Sequence, residues 1–170
     1  KAKVQKSRKV KIDAALDLAL FYNNRNSRYS DYNRAITIYK EGLGFCMEND
    51  LVLKAACYEG IGDSGRFLQN VIIAVSNYKK AGELYEKVGN IEKQAVCYHR
   101  NGDLYLDQAK YELSKTSYQT AIVLYREVNN WDRVASCTSN IGEVYVHLKQ
   151  YKKGLQQFEK ALEINRNHDK

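Results

Sequence analysis

The sequence predicts an all-α fold built as an array of antiparallel helix pairs, and three observations predict it. Proline is absent from all 170 residues, so no residue breaks a helix from within. Four blocks of forty residues align from residue 11 onward, the mark of a repeat architecture. Inside each block, apolar and small residues recur at spacings of three and four, the period of a helix face. In the first halves of the blocks, Ala55, Ala95 and Ala135 correspond, as do Cys57, Cys97 and Cys137, Gly62, Gly102 and Gly142, and Asp63, Asp103 and Glu143. In the second halves, Ala74, Ser114 and Gly154 precede Tyr78, Tyr118 and Phe158, which precede Ala81, Ala121 and Ala161.

Residues 1–10 form a basic N-terminal extension. They hold Lys1, Lys3, Lys6, Arg8 and Lys9 with no acid, and they account for most of the net charge of +7. A short basic tail of this kind is expected to be a solvated end. The block 11–50 is a degenerate repeat. It keeps Ala15 and, with one inserted residue, Ala35, Tyr39 and Gly42, but Tyr22 stands where the other blocks carry glycine. Helices are expected near 12–26 and 31–47. The block 51–90 predicts helices over 51–67 and 71–87. The block 91–130 predicts them over 91–107 and 111–127, and the block 131–170 over 131–147 and 151–166. The tripeptides VGN (88–90) and VNN (128–130) supply the Gly and Asn on which helices end in a left-handed residue. A mid-helix glycine costs about 1 kcal/mol relative to alanine. Three equivalent ones therefore point to a close helix–helix approach. The small residues at 74, 114 and 154 would supply the other half of that contact, and the aromatic at 78, 118 and 158 would fill the space beside it. A single helix pair cannot bury its apolar face, whereas stacked pairs can.

This spacing resembles the tetratricopeptide repeat, in which a Gly is followed by Tyr, a small residue, an aromatic and Ala at fixed intervals. Gly142, Tyr145, Gly154, Phe158 and Ala161 fit the pattern fully, as do Gly102, Tyr105, Ser114, Tyr118 and Ala121. Gly62, Ala74, Tyr78 and Ala81 fit with Gly65 in the Tyr position, and the usual closing proline is missing throughout. The forty-residue period resembles the long repeats of Pins-type polarity adaptors, rapsyn and kinesin light chain, with the soluble NSF attachment proteins as a looser relative. The resemblance implies a right-handed superhelical array of about four antiparallel helix pairs, a solenoid whose first helices line a concave groove.

By the same resemblance, the partner-binding groove is expected to contain Glu59, Asp63 and Arg66, then His99, Asp103 and Asp107, then Ser139, Glu143 and His147. The implied function is that of a non-enzymatic protein–protein interaction adaptor. A groove with the acidic ladder Asp63, Asp103 and Glu143 would prefer a peptide-like partner segment with basic or polar groups. The bland alternative is that these acids are solvated or paired locally, for example Asp103 with Arg100. Repeats that grip a C-terminal carboxylate need cations where Glu59, Asp63, His99 and Asp103 stand, so a carboxylate clamp is not expected. Two other roles stay open: a structural subunit of a large cytoskeletal or ciliary assembly, and a membrane-traffic adaptor of the attachment-protein kind.

Elementary chemistry narrows the rest. Cys57, Cys97 and Cys137 stand one repeat apart, roughly 10 Å in stacked helices, beyond the ~7 Å Cα limit for a disulfide. They read as small buried packing residues, and Cys46 is assigned no role. Cysteine and histidine never occur at zinc-ligand spacing, so neither a metal nor another cofactor is expected. Cys97 and His99 are two residues apart and point to different sides of a helix, which excludes a nucleophile–base pair between them. The phosphate loop and the common hydrolase motifs are absent from the sequence, so no small-molecule substrate is expected. The fourteen tyrosines occupy repeat positions and read as packing. Stacking of nucleic acid would need exposed aromatics among cations, so nucleic acid is not an expected partner. Nor is a membrane, since the longest apolar run is far short of a bilayer span. A cytoplasmic protein is expected, with cytoskeletal or ciliary association as a variant. The start at Lys1 without methionine reads as a piece of a larger protein. The last predicted helix carries Leu155, Phe158, Leu162 and Ile164, an apolar load that a further helix or a partner is expected to cover.

Overall fold

A computed structural model of the chain describes residues 2–22 and 29–168. Among the described residues every regular element is an α-helix: α1 Ala2–Tyr22, α2 Tyr29–Phe45, α3 Leu51–Phe67, α4 Val71–Lys87, α5 Ile91–Asp107, α6 Tyr111–Glu127, α7 Trp131–His147 and α8 Tyr151–His168. Helices α3 to α7 occupy the predicted ranges, α2 begins and ends two residues early, and α8 runs two residues further. The first helix differs most. Its backbone is helical from Ala2, so the basic stretch continues α1. The expected end of this helix at 26 falls outside the described residues, as do Lys1 and the side chains of residues 2–8.

The turns explain why the boundaries are so regular. Gly89 and Asn129 adopt φ of +69° and +56°, as the tripeptides predict. Gln69, Ala109 and Lys149 take the same left-handed conformation at φ of 54°, 54° and 59°, where no glycine announces it. The backbone makes up the difference. Asn70 N donates to Gly65 O, Lys110 N to Tyr105 O, Asn130 N to Tyr125 O and Gln150 N to Tyr145 O, all at 2.8–2.9 Å. Each left-handed residue at 69, 109, 129 and 149 adds a second bond to the carbonyl three residues back. These paired bonds satisfy the carbonyls that a helix end leaves open. The next helix is then started by an asparagine in three cases. The Oδ1 atoms of Asn70, Asn90 and Asn130 accept from Ile73 N, Lys93 N and Arg133 N.

The chain divides into two compact units, Lys1–Gly89 and Asn90–Lys170. In the first unit α1 packs on α2, α2 on α3 and α3 on α4, around Ala19, Ala35, Tyr39, Cys57 and Ile61. In the second unit α5 packs on α6, α6 on α7 and α7 on α8, around Ala95, Tyr118, Tyr125, Val134, Cys137 and Val144.

The repeated glycines mark the contact inside each pair, as the sequence predicts, and the aromatic rather than the small residue is the immediate neighbour. A Cβ at Gly62, Gly102 or Gly142 would stand 2.7 Å from Tyr78, 2.5 Å from Tyr118 or 2.8 Å from Phe158. These separations are too short for any side chain, so glycine makes room for the ring. The small residues approach the backbone beside it. Ser114 Oγ donates to the Gly102 carbonyl at 2.9 Å, and a Cβ on Gly154 would meet the Gly142 carbonyl at 3.1 Å. Burial of each ring contributes about 1.5–3 kcal/mol, which offsets the ~1 kcal/mol helix penalty of the glycine.

Candidate partner-binding site

In the second unit, the first helices of both pairs set candidate residues four apart. Helix α5 carries His99, Asp103 and Asp107, and α7 carries Ser139, Glu143 and His147. Residues at this spacing share a face. Asp107, Glu143 and His147 are exposed, while Asp103 and Ser139 are half-buried. His99 does not lie on the open surface. It is 9% exposed, with its ring edge-on to Tyr118 and Tyr125 at centroid distances of 5.8 and 6.2 Å. Its Nε2 lies 3.2 Å from Asn140 Nδ2 on α7 and 3.7 Å from Asp103 Oδ1.

Burial pushes the His99 pKa below its ordinary value, against the pull of Asp103, and the nearby Arg133 and Arg100 add to the lowering. The ring is therefore neutral at pH 7. Asn140 has N–H to donate, so the tautomer that fits this contact carries its proton on Nδ1 and accepts at Nε2. His99 thus acts as a bridge between α5 and α7.

The acids of the ladder are not equivalent. Tyr78 Oη donates to Asp63 Oδ1 at 2.6 Å, and Tyr118 Oη donates to Asp103 Oδ1 at 2.8 Å. Burial first, and then the Asp103 charge, push the Tyr118 hydroxyl far above the usual phenol range, so it remains a donor. At the third position Phe158 has no hydroxyl. Glu143 instead lies 3.8 Å from His147 Nε2, with its side chain 55% exposed. The ring of Tyr111 stacks on His147 at 5.7 Å and 17°.

The first unit corrects one expected groove residue. Glu59 is 8% exposed and accepts from Tyr85 Oη at 2.7 Å. Its carboxylate serves a buried hydroxyl and does not face solvent. The equivalent pair in the second unit is His99 and Tyr125. The imidazole does not take the carboxylate's role there, and Tyr125 Oη is buried with no hydrogen-bond partner among the described residues, as is Asn101 Oδ1. Asp63 is half-buried. Arg66 is exposed with its guanidinium 4.6 Å over the ring of Phe67, which itself stacks on Tyr32 at 4.9 Å.

Sequence reasoning missed Asn140, Tyr111 and the three tyrosine hydroxyls. A signal for the hydroxyls was present: the repeats pair Asp with Tyr twice and Glu with Phe once. It also missed a contact of Cys46. The Cys46 thiol donates to Gly42 O at 3.4 Å and is a hydrogen-bonding neighbour of Cys57. Cys57, Cys97 and Cys137 are at most 1% exposed. Burial pushes the thiols of Cys57 and Cys137 up to about 12, with Cys46 adding to the shift at Cys57. At pH 7 such thiols are protonated and poor nucleophiles. Among the described residues there is no cluster of three metal-ligating side chains and no helix long and apolar enough to cross a membrane.

Comparison with known proteins agrees with the repeat geometry. Residues 93–167 match the family model for the tetratricopeptide repeat. The matched residues run from the start of α5 to the end of α8. Among solved structures it is similar to the MamA protein, with a TM-score of 0.72 and 19% identity over 97% of this chain and 79% of that one. The apo form of RapI aligns with a TM-score of 0.80 and 19% identity over 94% of this chain and 57% of that one. Aspartyl phosphate phosphatase F from Bacillus subtilis aligns with a TM-score of 0.76 and 17% identity over 94% of this chain and 41% of that one. At these identities the likeness is one of fold. The chain spans a little over half of RapI and under half of the phosphatase. No curated protein matches the sequence. The packing residues of α5 to α8 are those of the tetratricopeptide repeat.

Proposed function

We propose that this tetratricopeptide repeat chain is a non-enzymatic adaptor that holds a peptide-like segment of another protein against the first helices of its pairs. The observation that carries the reading is the exposed face of Asp107, Glu143 and His147, with the half-buried Asp103 beside it. Three carboxylates on one face of two neighbouring helices favour basic or amide-rich ligand groups. Asp103 contributes charge while its geometry is held by Tyr118, so the face is pre-organised on its α5 side. In the first unit, Asp63 occupies the repeat position of Asp103 and Glu143, and Arg66 follows one turn later at the position of Leu106 and Val146. Supporting the reading from another side, the buried thiols and the buried His99 have the environments of packing groups rather than of reactive ones.

Affinity capture followed by mass spectrometry tests the proposal, comparing the wild type with Asp107→Lys/Glu143→Lys. Both positions are exposed, so the fold should persist, as circular dichroism will check. The expected result is loss of the partners that the wild type captures. Retention of the same set by the charge-reversed protein would sink this reading.

A second reading, a structural subunit held in a larger assembly, is favoured by the outer side of α8. There Tyr151, Leu155 and Leu162 are 64%, 58% and 57% exposed, an apolar stripe of the kind that a neighbouring helix covers.

A further inference from the structure

The opposite side of α7 carries a different surface. At 100° per residue, Thr138, Ile141 and Tyr145 point about half a turn away from Ser139, Glu143 and His147. They form the floor of a hollow of about 400 Å³ between α6, α7 and α8. Thr138 and Ile141 are buried, and Tyr145 and Ile122 are half-buried, so the floor is mainly apolar. Val123, 56% exposed, stands at the α6 edge. The remaining lining residues are Gln119 and Arg126 on α6 and Gln157 and Lys160 on α8. The hollow therefore has an apolar base between two edges that each offer one cation and one amide. Carboxylates are absent from its lining. Two further cations lean over the floor ring: Lys115 Nζ and Lys153 Nζ lie 6.0 and 5.7 Å from the Tyr145 centroid. Lys115 is already paired with Glu112 at 2.6 Å, which leaves Arg126, Lys153 and Lys160 as the positive groups around the site.

We infer that this hollow is a second docking surface, for an acidic amphipathic segment of a partner protein. One or two apolar side chains of that segment fill the space over Ile141 and Tyr145, and flanking Asp or Glu residues reach Arg126 and Lys160. The chemistry commits to this occupant for two reasons. An apolar floor with an exposed valine beside it gives nothing to a purely anionic ligand such as a phosphate. Cations on facing edges repel the basic segment that the other side of α7 attracts. The two surfaces select opposite charge, so one chain holds two different partners, or two segments of one partner, at the same helix.

Fluorescence anisotropy with two labelled helical peptides tests this. Both carry leucines along one face; one has glutamates beside them and the other lysines. The glutamate peptide is expected to bind the wild type, and the lysine peptide to bind at least tenfold more weakly. Arg126→Glu/Lys160→Glu should weaken the glutamate peptide at least tenfold, and Val123→Asp should weaken it as well. The control Lys79→Glu/Lys87→Glu makes the same change in net charge on exposed residues of α4 and should leave binding intact. The Asp107→Lys/Glu143→Lys protein should also bind the glutamate peptide normally, so failure of the adaptor reading and failure of this one are told apart. Equal loss in the control variant would reduce the effect to net charge and overturn the proposal. So would equal binding of both peptides, no binding of the glutamate peptide, or sedimentation showing that the hollow is closed by a second copy of this chain.

Discussion

The helix pairs α5–α6 and α7–α8 have the same repeat, the same turn and the same glycine contact, yet they use one acidic position in two ways. In α5–α6, Asp103 holds the hydroxyl of a ring that is 1% exposed. In α7–α8, Phe158 is only half-buried and lacks the hydroxyl, and Glu143 turns outward beside His147. The first acid is a structural acceptor that also contributes charge. The second is an exposed surface group beside His147. A row of equivalent acids in a repeat protein is thus no proof of a row of equivalent binding groups, because the partner helix decides what each acid is bonded to.

Substitution breaks this comparison most sharply. Asp103→Ala leaves the buried Tyr118 hydroxyl without its charged acceptor and should cost about 1.5–3 kcal/mol. Glu143→Ala should stay within about 0.5 kcal/mol. Urea unfolding of both variants checks it, and equal losses would show that the two acids do the same work.

A smaller effect separates the pairs by pH. His99 has a lowered pKa and Ser139 stands in its place in α7. The unfolded chain binds a proton on this histidine at a higher pH than the folded one does. Its contribution to stability is therefore fully present above about pH 6.5 and falls as pH drops below that, by at most ~1.4 kcal/mol per pH unit. His99→Ser should flatten the slope of the urea midpoint between about pH 6.5 and 5, above the range where most carboxylates titrate. An unchanged slope would mean that the imidazole already ionises in the folded protein.

The smallest expected change sharpens the comparison by construction. Phe158→Tyr places in α8 the hydroxyl that Tyr118 carries in α6. If Glu143 can turn to accept it, the protein gains about 0.5–1.5 kcal/mol, and basic-ligand binding at Glu143 weakens. A stability loss would show that the α7–α8 contact is not the same shape as its neighbour.

Much of this architecture is legible in the amino-acid sequence. The forty-residue spacing places α3 to α7, and the glycine at 62, 102 and 142 announces a close approach that the rings then fill. The buried cysteines are legible for the same reason, since a residue repeated at one phase of a helix has one environment. The candidate site is legible only in outline. Asp103, Asp107, Glu143 and His147 lie where the repeat puts them, but Glu59 and His99 are buried, and nothing local in the sequence distinguishes them from their neighbours.

The sequence by itself determined the helices, their turns and the packing between the two members of a pair. Those depend on spacing along one chain and on the sizes of residues that recur with it. Only the tertiary structure decided which polar groups are bound inward and which stay exposed. A hydrogen bond between Tyr118 and Asp103, or between Asn140 and His99, depends on a few tenths of an ångström between different helices. The same holds for the hollow over Ile141 and Tyr145, whose walls come from three helices and whose charges no single segment displays together.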